Sequence, residues 1–246
     1  MKSAQDVSFD QEFLKVMLIG DAGTGKSVCA STFPTPGYVF DFDMGILTYR
    51  GLDFQYEQFP ADGKSWGLFD KEFRAVEKMV AAGELKTVII DSTTSMGDCA
   101  MERALILDPK RSTEGGPIWN VHYQIVKNLI NPKLQRFKGL NCNVVLISHW
   151  KLQKDQKDGS IIGAKPLLTG DLAEKVTGYF DEVYCTFTQQ KEGRTNYFLR
   201  LVNKGYFTAR SRLSGKDHLL PDVLPNNYES IMEAAKKASA KLKGDA

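Results

Sequence analysis

Short apolar runs alternate along the chain with stretches whose apolar residues recur every three or four positions. Leu14–Gly20 (LKVMLIG) is an apolar run closed by a glycine, the pattern of a strand buried on both faces. Tyr38–Asp43 (YVFDFD), Thr87–Asp91 (TVIID) and Asn143–Ser148 (NVVLIS) read the same way. Between them, Phe69, Phe73, Val76 and Val80 fall on one face of a helix that Gly83 stops. Ser95–Leu107 reads as helix, and Ile118–Ile130 as another, ended by Asn131-Pro132. Strands separated by helix-length connections predict parallel βαβ units and an α/β sheet flanked by helices. Beyond about residue 180 the spacing shortens: Phe180–Thr188, Asn196–Val202 and Tyr206–Arg210 predict an antiparallel C-terminal extension. From Tyr228 the chain is amphipathic and lysine-rich, which sets 226–246 apart as a helix or tail on a body of 1–225.

Composition narrows the class. The 246 residues suit one sizeable domain, and 42% hydrophobic with 25% charged residues excludes a disordered or collagen-like chain. Lys+Arg 32 against Asp+Glu 30 leaves +2, so any nucleic-acid contact must be local. The charge is uneven: residues 1–60 carry −4 and residues 189–216 carry +6. Four scattered cysteines, without a CxxC pair, predict buried free thiols in a reducing compartment. No apolar run reaches the roughly 20 residues of a membrane span, and the polar N-terminus has no signal-peptide core. The expectation is a soluble cytoplasmic protein without a membrane partner.

Gly20-Asp21-Ala22-Gly23-Thr24-Gly25-Lys26-Ser27 matches G-x-x-x-x-G-K-[ST] at every position, with Val28 following, and lies between a predicted strand and a helix-compatible run. Its glycines let backbone N–H groups face phosphate oxygens, and the helix start adds its positive dipole end. Lys26 supplies charge at the β- and γ-phosphates, and the Ser27 hydroxyl is a magnesium ligand. ATP and Mg2+ are the expected cofactors. Asp91, ending its strand, is the second candidate magnesium residue, with a helix N-cap as the alternative. Asp41 and Asp43 end the second strand, where alternation predicts one shared face; His149 follows the fourth strand, placed to donate to a γ-phosphate.

Taken in order, the P-loop, FDFD, VIIDS, GG-x-x-W and ISHW resemble the RecA-type recombinase core over roughly residues 12–215. The likeness is nearest to phage-encoded, core-only Sak-type single-strand annealing recombinases. That resemblance implies a RecA-like P-loop NTPase core that hydrolyses ATP, binds single-stranded DNA, assembles as a ring or filament, and works beside a single-stranded DNA-binding protein. It puts Asp43 at the place of the family's catalytic glutamate, one methylene shorter, and His149 at that of its γ-phosphate-sensing glutamine. Lys26 and Asp91 complete the implied catalytic set. Two DNA-binding loops are implied: Asp108–Trp119, with Lys110 and Arg111, and Trp150–Lys165, with Lys151, Lys154, Lys157 and Lys165. Lysines there neutralise backbone phosphates without reading sequence. Lys204, Arg210 and Arg212 are implied as fingers reaching a neighbour's γ-phosphate. Phe9 and Phe13 read as core contacts, with docking on a neighbour as the alternative. Two further readings stay open: an ATP-gated adaptor or loader with little turnover, and a P-loop kinase for a small metabolite.

Overall fold

The computed structural model describes residues 13–214 and 218–244, so Phe9 lies outside the described residues. In chain order the elements are β1 (Lys15–Ile19), α1 (Lys26–Ser31), β2 (Gly37–Asp41), a 3-10 turn (Ile46–Tyr49), β3 (Phe54–Gln58), α2 (Ser65–Ala81), β4 (Thr87–Asp91), α3 (Thr93–Leu107), α4 (Trp119–Lys138) and β5 (Asn143–Ser148). There follow β6 (Trp150–Lys154), β7 (Ile161–Pro166), α5 (Leu172–Tyr179), β8 (Glu182–Lys191), β9 (Arg194–Arg200), β10 (Arg210–Ser211), β11 (Val223–Pro225) and α6 (Tyr228–Gly244).

The main sheet has the order β11-β9-β8-β1-β5-β4-β2-β3, with β10 paired to β8. From β3 to β8 every neighbouring pair is parallel, and β9, β10 and β11 pair antiparallel. This is the expected α/β architecture, a mainly parallel sheet with an antiparallel extension. Alternation in the strands divides their side chains between two cores. Met17, Ile19, Val88, Ile90, Val144 and Leu146 join the apolar faces of α2, α3, α4 and α5. Val16, Leu18, Ile89, Val145 and Ile147 join α1 and α6 on the other side. Continuous apolar runs are therefore what this sheet requires.

The first core is densely aromatic. The Phe40 ring lies 5.4 Å from Phe69, 5.4 Å from Phe137 and 6.0 Å from Phe73, mostly edge-to-face. Phe69, Phe73 and Phe137 are fully buried, and Trp66 nearly so.

Three expectations are corrected. Asn131-Pro132 does not end α4, which runs through Pro132 to Lys138, because Leu134 and Phe137 bury one turn further on and outweigh the lost backbone donor. Tyr206–Arg210 is not a strand: Lys204 and Phe207 close a turn, and only Arg210–Ser211 pairs with β8. Residues 150–165 are largely an antiparallel pair, β6 with β7, rather than an open loop. Among the described residues no helix is long and apolar enough to cross a membrane.

Removing the ring at the centre of the aromatic cluster, Phe40→Ala, is expected to lower stability by about 3–5 kcal/mol. A fall in the urea midpoint at unchanged slope is the check, and Phe40→Leu should fall less far.

Candidate active site

Parallel register brings the carboxyl ends of β1, β5, β4 and β2 to one edge: Ile19 lies beside Ser148, and Asp41 beside Asp91. The phosphate loop leaves β1 at Gly20. A Cβ there would stand 2.1 Å from Thr186 Oγ1 and 2.8 Å from the Thr186 carbonyl, so only glycine fits. Gly25 holds φ +84°, and a Cβ on it would meet Asn226 Nδ2 at 2.7 Å and the Tyr197 ring at 2.9 Å. The loop is stitched by Thr24, whose hydroxyl bonds the Asp21 carbonyl at 2.7 Å and lies 2.6 Å from Thr186 Oγ1.

Lys26 is buried at the start of α1, and its ammonium donates to the carbonyls of Gly20 (3.0 Å) and Asp21 (2.7 Å). Burial pulls its pKa below the ordinary lysine value, against the pull of Asp91, Asp43 and Asp21. Asp91 is buried at the end of β4, where Tyr49 donates its hydroxyl to Oδ2 at 3.0 Å, and the nearby Ser27 hydroxyl favours its charged form. Burial, with Asp43 and Asp41 nearby, pushes the Asp91 carboxyl up to about 6.

Asp43 lies just past β2, where Ser92 donates to Oδ1 at 2.8 Å and Ser95 donates to the same oxygen. His149 stands opposite, with Nε2 3.9 Å from Asp43 Oδ2 and Nδ1 3.5 Å from Lys26 Nζ. An ammonium can only donate, so Nδ1 is the acceptor and Nε2 carries the proton. Desolvation, then the Lys26 charge, holds the imidazole below its usual pKa, so it is neutral at pH 7. These groups line a cavity of about 350 Å³ with Ala22, Gly23, Gly25, Val28, Thr48 and Tyr197.

The donor set fits a magnesium ion. Ser27 and Asp91 present a hydroxyl and a carboxylate to the same cavity, and among the described residues no cluster of three or more His, Cys, Asp or Glu side chains forms an all-protein metal cage. Magnesium is typically held by one or two protein oxygens together with substrate phosphates.

Sequence-predicted residues thus divide. Gly20 to Val28, Asp43, Asp91 and His149 converge. Asp41 does not share the Asp43 face: the chain turns after β2, and Asp41 instead accepts from the N–H groups of Gly45 (2.9 Å) and Ile46 (3.1 Å) and from Gln58 Nε2 (2.8 Å). Arg210 and Arg212 sit beside Val183 and Glu182, at the opposite end of β8 from the phosphate loop. Neither is a free finger here. Arg210 donates to the carbonyls of Thr177 (2.7 Å) and Phe180 (2.6 Å), and Arg212 pairs with Asp181. Lys204 is exposed and borders a second cavity beside Asp21.

Of the basic loop residues, Lys110, Lys151, Lys154 and Lys157 are exposed. Arg111 folds back onto the carbonyls of Leu105, Asp108 and Lys110, and Lys165 pairs with Glu174 at 2.7 Å. Sequence reasoning missed Tyr49, Tyr197 and Asn226. Tyr49 comes from the 3-10 turn, Tyr197 from β9 and Asn226 from the link between β11 and α6, and no motif spacing marks them.

The profile of an AAA domain family (AAA_24) matches residues 12–213. The chain belongs to this family. A P-loop after β1, the acidic end of β4 and β5 lying between them give this AAA domain a P-loop nucleotide-binding core. Among solved structures, the AAA domain is similar to the KaiC-like protein PH0186 from the archaeon Pyrococcus horikoshii OT3, with 15% identity over 78% of this chain and 84% of that one and a TM-score of 0.44. It is also similar to the flagellar accessory protein FlaH from Methanocaldococcus jannaschii, with 10% identity over 78% and 80% and a TM-score of 0.37. No curated protein matches it.

The raised Asp91 pKa carries a sign. In the nucleotide- and metal-free protein the buried carboxylate opposes folding above about pH 6, and the penalty fades as pH falls towards the ordinary value of 3.8. Asp91→Asn is therefore expected to unfold at a higher temperature than the parent at pH 8, with the gap narrowing in acid and closing near pH 4. Calorimetric scans across that range, with chelator present, check it.

Proposed function

We propose that this AAA domain hydrolyses ATP in step with binding single-stranded DNA, as a homo-oligomer, and uses the cycle to promote annealing or strand pairing in recombination, in the manner of the phage-encoded Sak-type proteins it resembles. One observation carries the reading: His149 faces both Lys26 and Asp43, and the next residue, Trp150, begins the lysine-bearing β6–β7 hairpin. A change at the γ-phosphate then has a direct covalent route to the DNA-facing segment.

The chemistry follows from charge and position. Asp43, fixed by the Ser92 and Ser95 hydroxyls, orients an attacking water and takes up its proton. Lys26 and the loop N–H groups stabilise charge developing on the transferred phosphoryl oxygens. His149 donates its Nε2–H to a γ-phosphate oxygen and loses that partner when phosphate leaves. Ser27 and Asp91 would hold a magnesium ion, which would add to the neutralisation of phosphate charge.

A second reading, an ATP-gated adaptor or loader, draws on the same carboxylate. Asp43 is short for a catalytic base, and two serine hydroxyls already occupy Oδ1.

Hydrolysis measured with and without oligo(dT), at low and high salt, separates the two. The expected result is stimulation by DNA that fades as salt rises, with none in Lys26→Ala. His149→Ala should keep nucleotide binding and lose the stimulation, and His149→Gln should recover part of it. ATP binding with turnover indifferent to DNA would leave the adaptor.

A further inference from the structure

A second cavity, of about 620 Å³, lies against the other side of the phosphate loop. The two cavities divide the loop between them. Ala22, Gly23, Gly25, Lys26 and Ser27 line the first, and Asp21 and Thr24 line the second. They divide the exit of β5 in the same way: His149 faces the first and Trp150 the second. One thin wall of backbone thus separates the two spaces.

The lining of the second cavity has a chemical bias. Trp150 lies 5.2 Å from the Phe207 ring, and Phe207 lies 4.8 Å from the Tyr206 ring. Tyr206 keeps 39% of its surface exposed. The turn bearing these rings is held by backbone bonds between Lys204 and Phe207 and by Asn203 Oδ1, which accepts from the Ala209 N–H at 2.8 Å. Two cations stand at the same cavity. Lys204 is exposed, and the Arg200 guanidinium lies over the Phe187 ring at 4.8 Å; neither is in an ion pair among the described residues. Aromatic faces beside uncommitted cations suit a planar base carrying a phosphate, and stacking of that kind tolerates any base.

We propose that this cavity is a second nucleotide-unit site, in which Tyr206 and the Trp150–Phe207 pair stack a base and Lys204 and Arg200 meet its phosphate. The unit is one residue of a single DNA strand, and in that form the inference rests on the DNA-stimulated reading above. A base seated there bears on Trp150 and therefore on His149, and it touches Thr24 and Asp21 of the phosphate loop. Stimulation of turnover by DNA then needs no path longer than this shared wall.

Two measurements on the full chain, loaded with ADP and magnesium, test it. The first is anisotropy of labelled oligo(dT). Tyr206→Ala should weaken binding on the order of tenfold, Tyr206→Phe should restore it, and Lys204→Ala should weaken binding and lower the salt slope by about 1. Turnover without DNA should be unchanged in Tyr206→Ala. The second is tryptophan fluorescence in a Trp119→Phe background, in which buried Trp66 gives a fixed emission and Trp150 the ligand-sensitive part, titrated with oligo(dT) or thymidine monophosphate. Quenching that disappears in Tyr206→Ala supports the site, and the ligand that quenches identifies its source as the strand or the free nucleotide. Tight oligo(dT) binding that Tyr206→Ala leaves intact overturns this site while the DNA reading stands. Failure of the parent to bind oligo(dT) overturns the DNA reading, and the site too unless the free nucleotide quenches.

Discussion

The buried ammonium of Lys26 sets the terms for everything around it. A charge removed from water needs compensation, and here it is distributed: two carbonyls of the phosphate loop, the ring nitrogen of His149, and the carboxylates of Asp91, Asp43 and Asp21 at longer range. The carbonyl contacts fix the path of the loop, the imidazole contact fixes the tautomer of His149, and the carboxylates favour the charged form of the lysine while outnumbering it. Incoming phosphates are attracted by the ammonium and repelled by the acids. This is why a divalent ion belongs with the nucleotide: it offsets the repulsion between Asp91 and the phosphate oxygens.

Sheet order places the remaining parts. Because β5 lies between β1 and β4, its carboxyl end falls between the phosphate loop and the acidic strand ends. His149 touches both sides as a result of topology, without a special loop. The price of that position is a ring held neutral in a partly desolvated cleft, which also suits it to donate a single hydrogen bond.

The parallel core was legible in the sequence because strands buried on both faces must be continuously apolar, and Leu14–Gly20, Thr87–Asp91 and Asn143–Ser148 are. The phosphate loop was legible because its glycines answer to local geometry that few other residues tolerate. β3 was not: Phe54–Gln58 is a polar edge strand with mixed burial, and carries neither clean alternation nor an apolar run. Asp41 misled because alternation was extended past the end of β2, where the backbone had already turned. Arg210 misled because a cluster of positive charge looks the same in sequence whether its members point to a ligand or to the carbonyls that end α5. Tyr49, Tyr197 and Asn226 join the site only through tertiary packing, which no local pattern encodes.

The stretch after Pro225 is tied to the phosphate loop by a single side chain. Asn226 donates its amide to the Gly25 carbonyl at 2.8 Å, the Tyr228 N–H donates to Thr32 at the end of α1, and α6 then buries Ile231, Ala235 and Ala238. Gly25 is the residue whose left-handed conformation turns the loop into α1. Force or strain applied along α6 would therefore reach the nucleotide cradle within one residue of its anchoring lysine. A label, fusion partner or proteolytic nick placed in this helix is a perturbation of the ATP pocket, and the helix itself is a handle by which another molecule could tune nucleotide affinity from outside.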